Sequence, residues 1–223
     1  MQFQEIVVLT EKAGFIARGG FNPCATDLVP DVAEGVAAQT LILVGNAGNS
    51  MWNVFAKERD PRSDLLDDWT RGKLEEIAEK SGAAALFPFT RPYHPFQRWA
   101  QKAEDCHMSP IGIAIHPDYG LWHAYRGALA FSERIEIPHI GHRPSPCISC
   151  ADKPCLSACP VEAFQADTYN VPACISHLAT SAGNDCMSGG CLARHACPVG
   201  RDYVYSGEQA NFLMSAFLDK NGR

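Results

Sequence analysis

Nowhere in these 223 residues do about eighteen apolar positions follow one another, so no membrane-spanning helix is expected. Basic charge is scarce as well. Nineteen Lys and Arg stand against twenty-five Asp and Glu, giving a net charge of −6 and a pI near 5.7. With no Lys/Arg cluster to neutralise phosphates, nucleic acid is not expected as a principal partner. The first residues, MQFQEIVVLTEKAGF, are acidic and hold no long apolar core. They do not read as a secretory signal, and a cytoplasmic protein is expected. Low-complexity segments are missing, and so is Cys-x-x-Cys-His, which removes c-type haem attachment. What remains, 46% hydrophobic and 20% charged residues, suits an ordinary globular chain of one large or two unequal domains.

Cysteine is abundant, and in one place. Cys24 and Cys106 are isolated, while the other eight of the ten lie between residues 147 and 197. In a chain of this size without a secretion signal, such tight steps favour thiolates kept for metal over disulfides. The first group reads Cys147-x2-Cys150-x4-Cys155-x3-Cys159-Pro160, and the second Cys174-x11-Cys186-x4-Cys191-x5-Cys197-Pro198. Short Cys-x-x-Cys loops can bring two thiolates to different irons of one cuboidal cluster while backbone N–H groups face the sulfurs. The first group resembles the bacterial ferredoxin run C-x2-C-x2-C-x3-C-P with two added residues in the middle gap. Together the groups resemble a two-cluster [4Fe–4S] ferredoxin module. Its crossover implies Cys147, Cys150, Cys155 and Cys197 around one cluster, and Cys174, Cys186, Cys191 and Cys159 around the other. Two zinc sites of four cysteines each are the alternative, against which the doubled Cys-Pro ending speaks. Gly183, Gly189 and Gly190 widen the second group beyond a compact ferredoxin.

Ahead of the cysteines the periodicity predicts helices over 3–13, 50–57, 63–80 and 93–106. Ser63 would cap the third, Gly82 would end it, and Asp67 and Asp68 would lie on its solvated face. Strands are expected at 40–44 (TLILV), 83–89, 111–116 and 127–137, and 18–31 is expected to be a Gly/Pro loop. The pattern suggests an α+β or α/β front domain over 1–140. The Pro-rich 138–146 marks a boundary, followed by a cysteine domain over 141–205. Residues 206–223 form a terminal helix capped by Ser206 and Gln209, which Phe212, Leu213, Ala216 and Phe217 would pack onto the body.

One front stretch crowds polar aromatics between apolar runs: IAIHPDYGLWHAYRGALAF, residues 113–131. It fits a ligand-facing loop and equally a half-buried hairpin in which Arg126 stacks on rings. The frame His116-Pro117-Asp118-Tyr119-Gly120-Leu121-Trp122-His123-Ala124-Tyr125-Arg126-Gly127 resembles a segment of the CblC-type cobalamin-processing family, and LILVGNAGNSMWNVF (41–55) is similar to that family's early strand and turn. The resemblance implies a flavin-reductase-like α+β fold that binds a corrinoid. Of the frame it carries over only Arg126, in a glutathione-binding role; Tyr119, Trp122 and Arg126 are expected to line the pocket, and Tyr119 and His116 are candidate proton donors on chemistry alone. The layout also resembles epoxyqueuosine reductases and reductive dehalogenases, which place a corrinoid domain before a two-cluster module; CISHL (174–178) is similar to the start of the former's second cysteine group. That resemblance implies an iron–sulfur oxidoreductase. An external donor, a reduced ferredoxin or flavodoxin, would load two [4Fe–4S] clusters that reduce a corrinoid, for ligand removal or for reduction of a small substrate. Helical repeats of the kind associated with tRNA binding in epoxyqueuosine reductases are not expected from these 223 residues. A ferredoxin-type carrier without catalysis and an FMN-dependent reductase are the alternatives. Asp105-Cys106-His107 resembles a cobalt-ligating motif, but Pro110 replaces its glycine. Cys24, His139 and His142 read as loop or linker residues.

Overall fold

Eight consecutive residues, Thr40–Ala47, are all buried, as a strand covered on both faces requires. The computed structural model describes residues 1–59, 65–138, 141, 143–165 and 168–222. The chain runs through α1 (Phe3–Lys12), β1 (Ile16–Phe21), β2 (Thr40–Ala47), α2 (Ser50–Glu58), α3 (Leu66–Ser81), β3 (Ala84–Leu86) and α4 (Phe96–Ala103). A two-stranded ribbon, β4 (His107–Met108) and β5 (Ala114–Ile115), precedes β6 (His123–Phe131). The mixed α+β character is as expected. The predicted Ser63 cap and the linker residues His139 and His142 lie outside the described residues.

The chain divides into two compact units. The first comprises Met1–Asp105 and His123–His142. Its sheet has the order β1-β2-β6-β3, and every pairing is antiparallel. Two local readings are corrected by that pairing. The Arg-Gly-Gly stretch expected in a loop is part of β1, because Gly20 and Phe21 pair with Ile42 and Leu41. The strand expected at 127–137 starts earlier and ends earlier, since His123 to Phe131 find partners along the whole of β2. Between Val44↔Gly127 and Gly45↔Tyr125 the register steps past Arg126, a β-bulge of the kind that re-aims one side chain. Gly127 leaves the space that Leu74 of α3 fills, where an added Cβ would come within 2.4 Å of Leu74 Cδ1. Gly82, at φ +69, ends α3 as predicted.

The second unit comprises Cys106–Trp122 and Arg143–Arg223, so residues 106–122, expected in the front domain, belong with the cysteines. The expected strand over 111–116 shrinks to two paired residues. Short helices dominate: α5 (Pro146–Ser149), α6 (Pro154–Ser157), α7 (Val171–Leu178), α8 (Asn184–Gly189) and α9 (Leu192–His195), with a ribbon of β7 (Phe164–Gln165) and β8 (Thr168–Tyr169). The last helix, α10 (Gly207–Asn221), is capped by Ser206 Oγ, which accepts from Gln209 N, and packs on α7 and α8. Cys155 and Cys197 are themselves buried members of an apolar cluster with Ile111, Ile115, Leu121 and Phe164.

Candidate functional site

Among the described residues of the second unit, two cavities are each walled by four cysteines. Cys147, Cys150, Cys155 and Cys197 wall one of about 180 Å³. Cys159, Cys174, Cys186 and Cys191 wall the other, of about 460 Å³. Each Cys-Pro step contributes its thiol to the cavity built mainly by the other sequence group. Among the described residues no three His, Cys, Asp or Glu side chains converge so as to hold a single metal ion; the thiols stand around volumes.

Electrostatics divides the thiols the same way. Burial, foremost, pushes the thiols of Cys147, Cys155, Cys186, Cys191 and Cys197 up. Neighbouring thiols add to it. Cys197, Cys147 and Cys150 act on Cys155, whereas Cys174 and Cys159 act on Cys186. Every such neighbour belongs to the same cavity. Tyr169 is raised too, first by burial and then by its hydrogen bond to Cys174. Crowded thiols in an apolar cavity resist ionisation until a cation is supplied, and metal binding is what deprotonates them.

Backbone N–H groups face the sulfurs, as cluster-binding loops require. Ala163 N donates to Cys159 Sγ at 3.3 Å. Leu192 N–H bonds Cys186, the N–H groups of Ala193 and Arg194 bond Cys191, and Val199 N–H bonds Cys197.

Of the three residues expected to line a corrinoid pocket, two lie in this unit. Trp122 is 1% exposed and lines the larger cavity. Arg194 holds its ring, with the guanidinium 4.6 Å from the Trp122 centroid and 4.5 Å from that of Tyr205. Arg194 Nε donates to Leu121 O at 2.8 Å. Tyr119 stacks on His116 at 4.4 Å and meets Tyr203 edge-on at 4.9 Å. His116 Nδ1 accepts from the backbone N–H groups of Asp118 and Tyr119 at 3.1 and 3.3 Å, so it shapes this turn.

Arg126 lies in the first unit, on the bulge of β6, and bonds Asp67 at 2.7 Å and Thr70 at 3.3 Å. Asp67, expected on a solvated face, is its ion-pair partner. Arg126 therefore belongs to a different unit from Tyr119 and Trp122. His107, in β4, has its Nε2 3.0 Å from Arg143 O. Cys24 is exposed, with Lys102 Nζ 3.9 Å from its sulfur, a cation the sequence had not placed there.

Sequence reasoning also missed a buried network in the first unit. Arg18, 1% exposed, pairs with Glu104 at 2.6 Å and donates to Asn46 O at 3.3 Å. His123 Nδ1 lies 3.2 Å from both its terminal nitrogens. Tyr125 donates its hydroxyl to Glu104. The only signal was an arginine between apolar residues and glycines, the wording of a loop.

The chain shares the fold of epoxyqueuosine reductases and of CblC. The epoxyqueuosine reductase of Streptococcus thermophilus superposes over 90% of this chain and 67% of its own, with a TM-score of 0.53 and 15% identity. The C. elegans B12-trafficking protein CblC matches over 94% of this chain and 90% of its own, with a TM-score of 0.53 and 16% identity. An epoxyqueuosine reductase bound to a tRNA stem loop matches at 16% identity and a TM-score of 0.53. With a nucleic-acid complex among the structures of this fold, the charge-based expectation against nucleic acid is left without support. No family model and no curated protein matches the sequence. No helix among the described residues is long and apolar enough to cross a membrane.

Proposed function

We propose that this chain is an iron–sulfur oxidoreductase that holds two [4Fe–4S] clusters in its second unit and passes single electrons toward an acceptor associated with the first. The observation that carries the reading is the division of eight thiols into two cavities of four, each completed by a thiol from the other sequence group. A tetrahedral zinc ion needs four sulfurs about 2.3 Å from one point, whereas a cuboidal cluster fills a volume lined by four thiols. Bound there, such clusters supply one-electron transfer.

The chain's own part is to hold and shield. The thiols enter as thiolates, releasing protons on loading. Backbone N–H groups at Cys159, Cys186, Cys191 and Cys197 spread sulfur charge, while Ile115 and Leu121 exclude water from the smaller cavity and Ile111 and Phe164 from the larger.

A corrinoid acceptor is supported by the likeness of fold to CblC and to epoxyqueuosine reductases. Tyr119 and Trp122 stand in the second unit and Arg126 in the first, and Trp122 lines the larger cysteine cavity. The burial of Trp122 at the larger cysteine cavity supports a second reading, an electron carrier whose first unit only docks its partner.

Anaerobic purification with metal and sulfide analysis tests the main reading. About eight iron and eight sulfide per chain are expected for two cubanes, and stoichiometric zinc in a colourless protein overturns it. Added cobalamin or cobinamide then separates the two forms. A shift of the corrinoid spectrum supports a corrinoid acceptor, and no shift at saturation leaves the carrier. Release of yellow flavin on denaturation would identify an FMN-dependent reductase instead.

A further inference from the structure

Among the described residues of the second unit, the buried atoms Ser109 Oγ, Trp122 Nε1 and His177 Nε2 each lack a hydrogen-bond partner within the protein. Native structures leave few such groups unmet, because a buried unsatisfied donor costs free energy. Each of the three lines a cysteine cavity, and their distribution is unequal. Ser109 lines the smaller, while Trp122 and His177 both line the larger. His177 faces it for a helical reason: on α7 it stands three residues after Cys174, on the same side of the helix. Trp122 is locked by Arg194 and Tyr205, so its N–H cannot swing to another partner.

The donors already bonded to sulfur are unequal as well. Among the described residues, Ala163, Leu192, Ala193 and Arg194 offer N–H groups, and Tyr169 its hydroxyl, to the thiols of the larger cavity. The smaller receives the N–H groups of Val199 and of Cys155 itself, and the Ser145 hydroxyl at Cys147. Hydrogen bonds to sulfur stabilise the reduced, more negative form of an iron–sulfur centre and set its potential.

We propose that Trp122 Nε1–H and His177 Nε2–H donate to the sulfurs of the centre held by Cys159, Cys174, Cys186 and Cys191, making it the higher-potential centre of the pair. The inference rests on the two-cluster reading. It makes Trp122 a tuning residue of an iron–sulfur centre, in place of the wall of a corrinoid pocket that its sequence frame implies. An electron delivered to either centre then comes to rest beside Trp122.

The test is an EPR-monitored redox titration of the anaerobically reconstituted full chain, in which dithionite gives one electron to each centre and no bond is made or broken. Two midpoint potentials are expected. W122F keeps an aromatic ring and removes the N–H. It should lower the higher potential alone, by up to about 59 mV, tenfold in a one-electron equilibrium. S109A should lower the other alone. A higher potential that is unchanged or raised in W122F overturns the inference. If W122F retains no iron, H177F decides on the same centre: a lowered potential supports the inference and an unchanged one overturns it. A wild-type chain that binds no iron–sulfur centre sinks the parent reading and this inference with it. A loaded chain whose potentials ignore these substitutions sinks the inference alone.

Discussion

Arg18 and Glu104 are 1% and 5% exposed at their side chains, so neither charge has water to fall back on. Taking two ions out of water is repaid only by close pairing and by bonds to their remaining atoms. Here Asn46, His123 and Tyr125 supply those bonds. Glu104→Gln leaves the guanidinium buried without its counter-charge. It should cost about 3–5 kcal/mol in denaturant unfolding of the first unit. The double change Arg18→Met, Glu104→Leu should recover much of that loss, since an apolar pair of similar bulk is often neutral. A Glu104→Gln variant as stable as the parent would show the pair to be idle. At this scale the sequence was least legible. An arginine beside two glycines reads as a loop because glycine dominates local pattern, and only the pairing of β1 with β2 reveals the position as interior. Ser109 and His177 were equally silent, since a single serine or histidine carries no period.

Among the elements, the ribbon over 107–120 depends on a backbone contact that leaves no room for a side chain. Gly120 has φ +57, and an added Cβ would lie 2.0 Å from Val199 O. Val199 follows the Cys197-Pro198 step that closes the first set of thiols. Gly120→Ala should therefore destabilise the second unit by more than the roughly 1–2 kcal/mol that left-handed backbone alone costs, and lower its iron content. Gly35→Ala is the reference. It has φ +72 with nothing within 4 Å, so it should show the backbone cost only and leave iron unchanged. Equal effects from the two would mean that the contact is compliant. Elements whose signal is local were legible: α1, α2 and α10 by spacing, β2 by its unbroken apolar run, the end of α3 by Gly82. The start of β6 was hidden because His123, Tyr125 and Arg126 look like pocket residues. They are strand residues whose bulge re-aims Arg126 toward Asp67. Which cysteines line one cavity was suggested only by the resemblance to a two-cluster ferredoxin module, since the spacing alone leaves many groupings of eight thiols open.

For the whole molecule, the two units differ in what holds them. The first has a four-stranded sheet; the second has two-residue strands, short helices and an apolar cluster that counts cysteines among its members. If clusters occupy the cavities, their binding free energy is part of the second unit's folding free energy. Removing iron with a chelator should then melt residues 143–222 while β2 and β6 stay folded. Hydrogen exchange should show fast amides in the first region and protected ones in the second, and uniform protection after chelation would contradict it. The route of the chain adds a consequence. Residues 106–122 leave the sheet-bearing unit, supply Ile111, Ile115, Leu121 and Trp122 to the other, and return to lay down β6. Proteolytic nicking within 138–146 would therefore not yield two self-sufficient halves. The C-terminal fragment would lack its borrowed hairpin, and the N-terminal fragment would carry that hairpin naked into solvent, so co-expression of the pieces should rescue what neither achieves alone.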